Sequence, residues 1–250
     1  MSVTDTLLRA ALDRDPARPL LTYYDDATGE RTELSATTLD NWVAKTANLA
    51  RDDLGVRPGD RMAVLLPAHW QTAAVLLAVW AVGGVACDDP AGAAATFCDA
   101  DRIGLAGGEV VALSLAPLGR GLATVPPGVI DYAVDVRGHG DRFAPFTPVG
   151  GDTPALDCGG TVRSTAAVVA RAAERAGEFG LRTGDRVLST LDWTGPADWL
   201  DGWLAPLSAG ASLVQCTRPA DPGALARRAA AERVTATIGT TLPELRTLSR

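Results

Sequence analysis

The chain has 250 residues, 47% of them hydrophobic and 21% charged, which supplies a real core and excludes disorder as the main state. A net charge of −7 excludes the basic footprint of a nucleic-acid or anionic-membrane binder, and solubility is its simplest use. In chain order, Leu7, Leu8, Ala11 and Leu12 recur at helical spacing before Asp15-Pro16, predicting a short opening helix. The first 12 residues carry Asp5 and Arg9 without a basic segment and apolar block, so no signal peptide is read and a cytoplasmic location is expected.

Residues 20–24 and 30–34, separated by a turn, predict a hairpin. A helix over about residues 36–53 follows, with Leu39, Trp42, Val43, Thr46, Leu49 and Ala50 facing inward and Lys45 directed to solvent. The continuous apolar run 62–66 suits a strand buried on both faces and ends at Pro67. A helix over residues 70–82 then leads through Gly83-Gly84 to a short strand at 85–87, a parallel βαβ unit. The most apolar stretch, 73–87, has 15 residues including two glycines, whereas a membrane span needs about 20 apolar residues, so it reads as a buried helix.

Short strands are expected near residues 102–106, 110–115 and 129–134, and the Pro- and Gly-rich stretch 145–154 reads as a linker. This places one α/β subdomain at 1–150 and a second at 151–250. A helix over about 164–179 opens the second. It runs into Gly180-Leu181-Arg182-Thr183-Gly184-Asp185-Arg186, which repeats Gly55-Val56-Arg57-Pro58-Gly59-Asp60-Arg61 at an offset of 125 residues. The repeat predicts two packed, pseudo-repeated α/β subdomains with largely parallel sheets, and the G-D-R turn itself reads as structural.

Other chemistry is sparse. The 23 basic residues include one lysine, Lys45, and hence 22 arginines. Four cysteines stand without a C-x-x-C pair, and His69 and His139 lack partners at ligand spacing, so reduced thiols, solvated histidines and no metal site are expected. The pairs Asp25-Asp26, Asp52-Asp53 and Asp88-Asp89 read as solvated turns, and neither a G-x-S-x-G elbow nor a G-x-G-x-x-G fingerprint is present.

The stretches Pro19-Leu20-Leu21-Thr22-Tyr23, Glu33-Leu34, residues 54–67 and Ala81-Val82-Gly83-Gly84-Val85 through Asp89-Pro90 resemble the opening of the AMP-binding, adenylate-forming enzymes. Residues 180–187, 207–214 and Glu232-Arg233-Val234-Thr235 are similar to the next stretch of acyl-CoA synthetases and peptide-synthetase adenylation domains. Within that superfamily the chain resembles a small actinobacterial protein that covers only the N-terminal half of the adenylation domain.

The resemblance implies a Ser/Thr/Gly-rich phosphate loop ending in Pro-Lys-Gly, whose N–H groups and lysine wrap ATP phosphates. At that place stand Asp157, Cys158, Gly159, Gly160, Thr161, Val162, Arg163, Ser164 and Thr165, without Pro-Lys-Gly. Cys158, Gly159, Gly160, Thr161 and Arg163 are therefore the candidate phosphate or ligand loop. Trp193-Thr194-Gly195 resembles the W-x-T-G region lining the acyl pocket, although Trp193, Trp199 and Trp203 read first as core-filling aromatics. The sequence also reaches Arg250 without the family's adenine- and ribose-binding motifs.

The function these departures favour is a non-adenylating binding or scaffolding protein with no cofactor, taking a small acyl-like ligand or a partner and forming a homodimer or joining a partner protein. The alternative is an ATP- and Mg-dependent acyl-adenylate-forming ligase with a remodelled loop, completed by another chain. Kinship of fold alone warrants neither activity.

Overall fold

The computed structural model describes residues 1–249. Ser2 and Asp5 form a reciprocal capping box that starts α1 (Val3–Arg14). The hairpin β1 (Pro19–Asp25) and β2 (Glu30–Ser35) ends on Ser35, whose side chain caps α2 (Ala36–Asp52). Next come β3 (Arg61–Leu65), α3 (Trp70–Ala81), β4 (Val85–Cys87), β5 (Ala95–Asp99), β6 (Glu109–Leu113), β7 (Val129–Asp131) and α4 (Tyr132–Asp135). A second hairpin, β8 (Pro154–Cys158) and β9 (Thr161–Ser164), again ends on a serine, Ser164, which caps α5 (Thr165–Glu178). The chain continues through β10 (Arg186–Ser189), α6 (Pro196–Trp199), a π-helical turn at Leu200–Leu204, α7 (Ala205–Ser208) and β11 (Ser212–Thr217). It closes with α8 (Pro222–Ala231), β12 (Ala236–Ile238) and β13 (Arg246–Leu248).

Two sheets result, ordered β13-β12-β10-β11-β1-β2 and β7-β6-β5-β3-β4-β8-β9. Every pairing is parallel except the two hairpins β1/β2 and β8/β9. The backbone hydrogen bonds of the G-D-R turn are the same in both halves. Asp60 Oδ2 accepts from Arg57 N at 2.8 Å, and Asp185 Oδ2 accepts from Arg182 N at 2.8 Å. The Asp60 carbonyl accepts from Val85 N at 2.8 Å and the Asp185 carbonyl from Ser212 N at 2.9 Å, so each turn locks the parallel strand that follows it.

The repeat reaches further than the motif. Each hairpin carries a register shift after its opening proline (Pro19/Leu21 and Pro154/Leu156) and then hands over to a serine-capped helix. Each hairpin also docks on the opposite half's sheet: β1 pairs with β11, and β8 pairs with β4. Sheet membership thus crosses residue 150 in both directions. One apolar core runs through both halves, with α3 buried on all sides at its centre from Trp70 to Trp80. No described helix is long and apolar enough to cross a membrane.

Several local expectations are corrected. Residues 102–106 are not a strand: Ala100–Leu105 is a 3-10 helix, capped by Asp99, whose side chain accepts from Asp101 N and Arg102 N at 3.1 Å. Lys45 is not in solvent but donates to the His139 carbonyl at 2.6 Å and pairs with Asp141 at 3.0 Å. His139 in turn lies 3.0 Å from Asp53. Asp25 and Asp26 are not solvated: Arg218 Nε reaches Asp25 at 3.0 Å, and Arg228 reaches Asp26 at 2.6 Å. Burial works against the Asp25 charge, but bonds from Arg218, Thr28 and Ala27 hold its carboxyl below the usual range.

His69 is also buried. Its Nδ1 accepts from Gln71 N at 3.1 Å and caps α3, leaving Nε2 facing Glu30 at 3.7 Å. Burial lowers its affinity for a proton, and the Glu30 charge only partly restores it. The folded chain therefore keeps the ring neutral where the unfolded chain begins to protonate it. The stability this contributes is complete above about pH 6.5 and is lost as pH falls below that value, by at most about 1.4 kcal/mol per pH unit. Chemical denaturation between pH 7 and 5 should show that slope, and His69→Asn, which keeps the capping acceptor, should flatten it. Parallel slopes for the two proteins would remove His69 as the cause.

Candidate functional site

The sheet edge formed by β8 and β9 carries the residues at the expected phosphate-loop place. Pairing of Asp157 with Val162 and of Cys158 with Thr161 leaves only Gly159 and Gly160 in the connection. Their φ values of +61° and +90° belong to a type I′ turn, the tight two-residue hairpin that requires positive φ at both positions. The connection is a tight two-residue turn. Asp157, buried at its base, is fully engaged: Oδ2 accepts from Arg61 Nη1 at 2.5 Å and Oδ1 from Gly160 N at 2.7 Å. The turn's Gly160 N–H thus points at a carboxylate of its own chain, and Arg61, from the G-D-R turn of the first half, neutralises that carboxylate.

Trp193 is fully buried, stacked on Trp203 with ring centroids 5.9 Å apart, and its carbonyl accepts from Trp199 Nε1 at 3.1 Å. Packing accounts for all three tryptophans. Thr194 turns its hydroxyl to Asp198 at 2.6 Å, holding the start of α6. Gly195 lies against Asp88, whose Oδ2 would be 2.7 Å from any Cβ there. Along the following helix, the π-helical turn brings Gly202 against the Trp193 indole nitrogen so closely that no Cβ fits. The indole N–H groups of Trp193 and Trp203 find no acceptor among the described residues, a cost a packed core rarely carries.

A cleft of about 510 Å³ lies between this hairpin, α5 and α6, a volume typical of small-molecule sites. Of the sequence candidates, Cys158, Gly159 and Arg163 line it, whereas Gly160, Thr161, Trp193, Thr194 and Gly195 do not; Pro196, next to Gly195, does. The residues that sequence reasoning missed are Arg171 and Arg175 on α5 together with Asp88 and Asp201. The four-residue spacing of the two arginines, on a helix that follows the candidate loop, was the available signal. Arg175 is held by Asp201 through Nε at 2.6 Å and Nη2 at 3.0 Å, a bidentate pair that keeps it firmly cationic. Among the described residues no group of three or more His, Cys, Asp or Glu side chains could hold a metal ion.

No protein-family model matches the chain. A Mycobacterium tuberculosis protein described as a TIGR03089 family protein is 49% identical over 243 residues, covering 94% of this chain and 95% of that one. The fold is similar to that of acetoacetyl-CoA synthetase from Streptomyces lividans (TM-score 0.75, 23% identity), over 95% of this chain and 42% of that one. It is also similar to an acyl-CoA synthetase of Brucella canis (TM-score 0.73, 18% identity), over 96% and 47% of the two chains. The chain thus spans less than half the length of the solved synthetases it matches. With nearly half its residues shared along almost the whole length of the mycobacterial relative, and two pseudo-repeated sheets that match the N-terminal part of acyl-CoA synthetase folds, the chain belongs to the TIGR03089 family.

Proposed function

We propose that this protein binds a small acyl-like ligand in the cleft beside the Gly159-Gly160 turn and does not adenylate it. The observation that carries the reading is the turn itself. Transfer of an adenylyl group requires free backbone N–H donors and a cation preorganised around the phosphates. Here the hairpin turn is two residues long, Gly160 N–H is spent on Asp157, and the only lysine, Lys45, is committed to His139 and Asp141 far along the chain. Asp157, paired with Arg61, takes the turn N–H that a phosphate oxygen would need. ATP and magnesium have no role in this reading.

A second copy or a partner protein fits the same proposal, because β9 is an edge strand whose Thr161, Val162 and Arg163 are exposed. The direct test is a thermal-shift panel of ATP, AMP, CoA and short acyl compounds. An acyl compound at 100 times its dissociation constant should stabilise the fold by about 2.7 kcal/mol, with ATP plus magnesium giving no shift. Stabilisation by ATP and by no acyl compound would overturn the reading.

A further inference from the structure

We propose that the cleft selects an amphipathic anion: an oxyanion head, carboxylate or phosphate, held between Arg163 and Arg171, with an uncharged chain along Pro196, Ala197 and Leu200. This names the ligand class for the binding reading above and rests on it. The cleft lining brings three arginines, Arg163, Arg171 and Arg175, together with two aspartates, Asp88 and Asp201. The hydrogen-bonding states of the arginines differ. Arg175 spends Nε and Nη2 on Asp201 and Nη1 on Glu178, which makes it a structural strut and cancels the Asp201 charge. Arg171 meets Glu174 at 3.1 Å and Glu178 at 3.0 Å through Nη1 alone, leaving Nε and Nη2 without a described acceptor. Arg163 has no protein acceptor among the described residues.

Arg163 sits opposite Leu156 across the hairpin, and cross-strand partners share a face, so its side chain leaves the sheet on the side of Leu156. Two planar guanidinium groups with unspent N–H donors match the two or three oxygens of one oxyanion. The opposite requirement comes from Asp88, an exposed carboxylate against Gly195 at the α6 wall. It repels a second anionic group there, and Pro196, Ala197 and Leu200 offer apolar surface instead. The wall is not a standard helix. A π-helical turn, Leu200–Leu204, places Leu200 and Asp201 in the cleft, and such turns are concentrated at functional sites.

The cleft carries its own reporter. Cys158 is half-buried in its lining, whereas Cys87, Cys98 and Cys216 are buried. Iodoacetamide should therefore alkylate Cys158 first, as read by peptide mass and by its loss in Cys158→Ser. The rate is then measured with hexanoate, hexyl phosphate, inorganic phosphate and the neutral hexanamide. At ten times its dissociation constant a ligand leaves about one site in eleven free, so hexanoate or hexyl phosphate should slow alkylation about 10-fold. The relative potency of these two identifies the head group, and hexanamide should leave the rate unchanged.

Arg163→Gln, at an exposed position, should raise the half-protecting concentration about 10-fold or more, the worth of one charge-assisted bond. Equal protection by hexanamide, or an unchanged half-point in Arg163→Gln, would overturn anion recognition while leaving a ligand-binding cleft. Failure of every compound to slow alkylation would overturn the anion proposal and the acyl-binding reading together. Pyrophosphate exchange tests separately whether the protein adenylates.

Discussion

Separating the chain between residues 150 and 151 is expected to abolish folding of both halves, the largest effect the architecture predicts. The halves exchange hairpins, so the cut strips β1 of its parallel partner β11 and β4 of its partner β8. In residues 1–150 the buried Leu21 and Tyr23 would lose the strand beside them, and in residues 151–250 Leu156 and Val168 would face water. Each fragment would expose unpaired strand edges as well as apolar surface, which is the usual condition for aggregation rather than folding. Circular dichroism and melting should find no cooperative transition for either fragment alone, and co-expression should restore one. A cooperative melt by either fragment in isolation would show that the hairpin exchange is dispensable and that residue 150 is a true domain boundary.

Replacing Trp193 by alanine is expected to cost about 3–5 kcal/mol, as for other fully buried aromatic side chains. It removes a ring that packs against Gly202 of the π-helical turn and stacks on Trp203. At about 2–4 °C per kcal/mol for a chain of this size, the melting temperature should fall by roughly 6–20 °C. Trp193→Phe should cost less, because it keeps an aromatic surface and removes an indole N–H that has no acceptor among the described residues. A Trp193→Ala protein within about 1 kcal/mol of the parent would contradict packing as the role of this residue.

How far the sequence disclosed this arrangement depended on whether the signal was local. The G-D-R repeat, the 70–82 helix and the two serine-capped helices were legible because turn chemistry and periodicity act over a few residues. The exchange of hairpins was not, since no local pattern states which sheet a strand joins, and the pairing of Leu21 with Leu213 spans almost the whole chain. Residues 102–106 misled because Ile103 and Leu105 alternate like a strand, while the cap that makes them helical, Asp99, lies outside the run. Lys45 and His69 were misplaced for a related reason: the carbonyl of His139 and the carboxylate of Glu30 that receive them come from distant segments.

Within the site, Gly159-Gly160 between two short strands is a hairpin signature that reads directly from sequence once the flanking residues are taken as paired. Arg171, Arg175, Asp88 and Asp201 converge only through folding, and their sequence spacing does not announce a cleft. Trp193, at the position the family resemblance assigns to the acyl pocket, is fully buried and stacked on Trp203.

Binding without adenylation is tested most directly by carboxylate-dependent exchange of pyrophosphate into ATP, with magnesium present and short, medium and aromatic acids supplied in turn. Loss of one preorganised electrostatic donor typically costs roughly 10² to 10³ in rate; with Gly160 N–H bonded to Asp157 and no lysine at the turn, exchange should not rise above the protein-free background. Robust exchange that disappears in Arg163→Ala or Thr161→Ala would contradict the account and make the turn from Cys158 to Thr161 a working phosphate site.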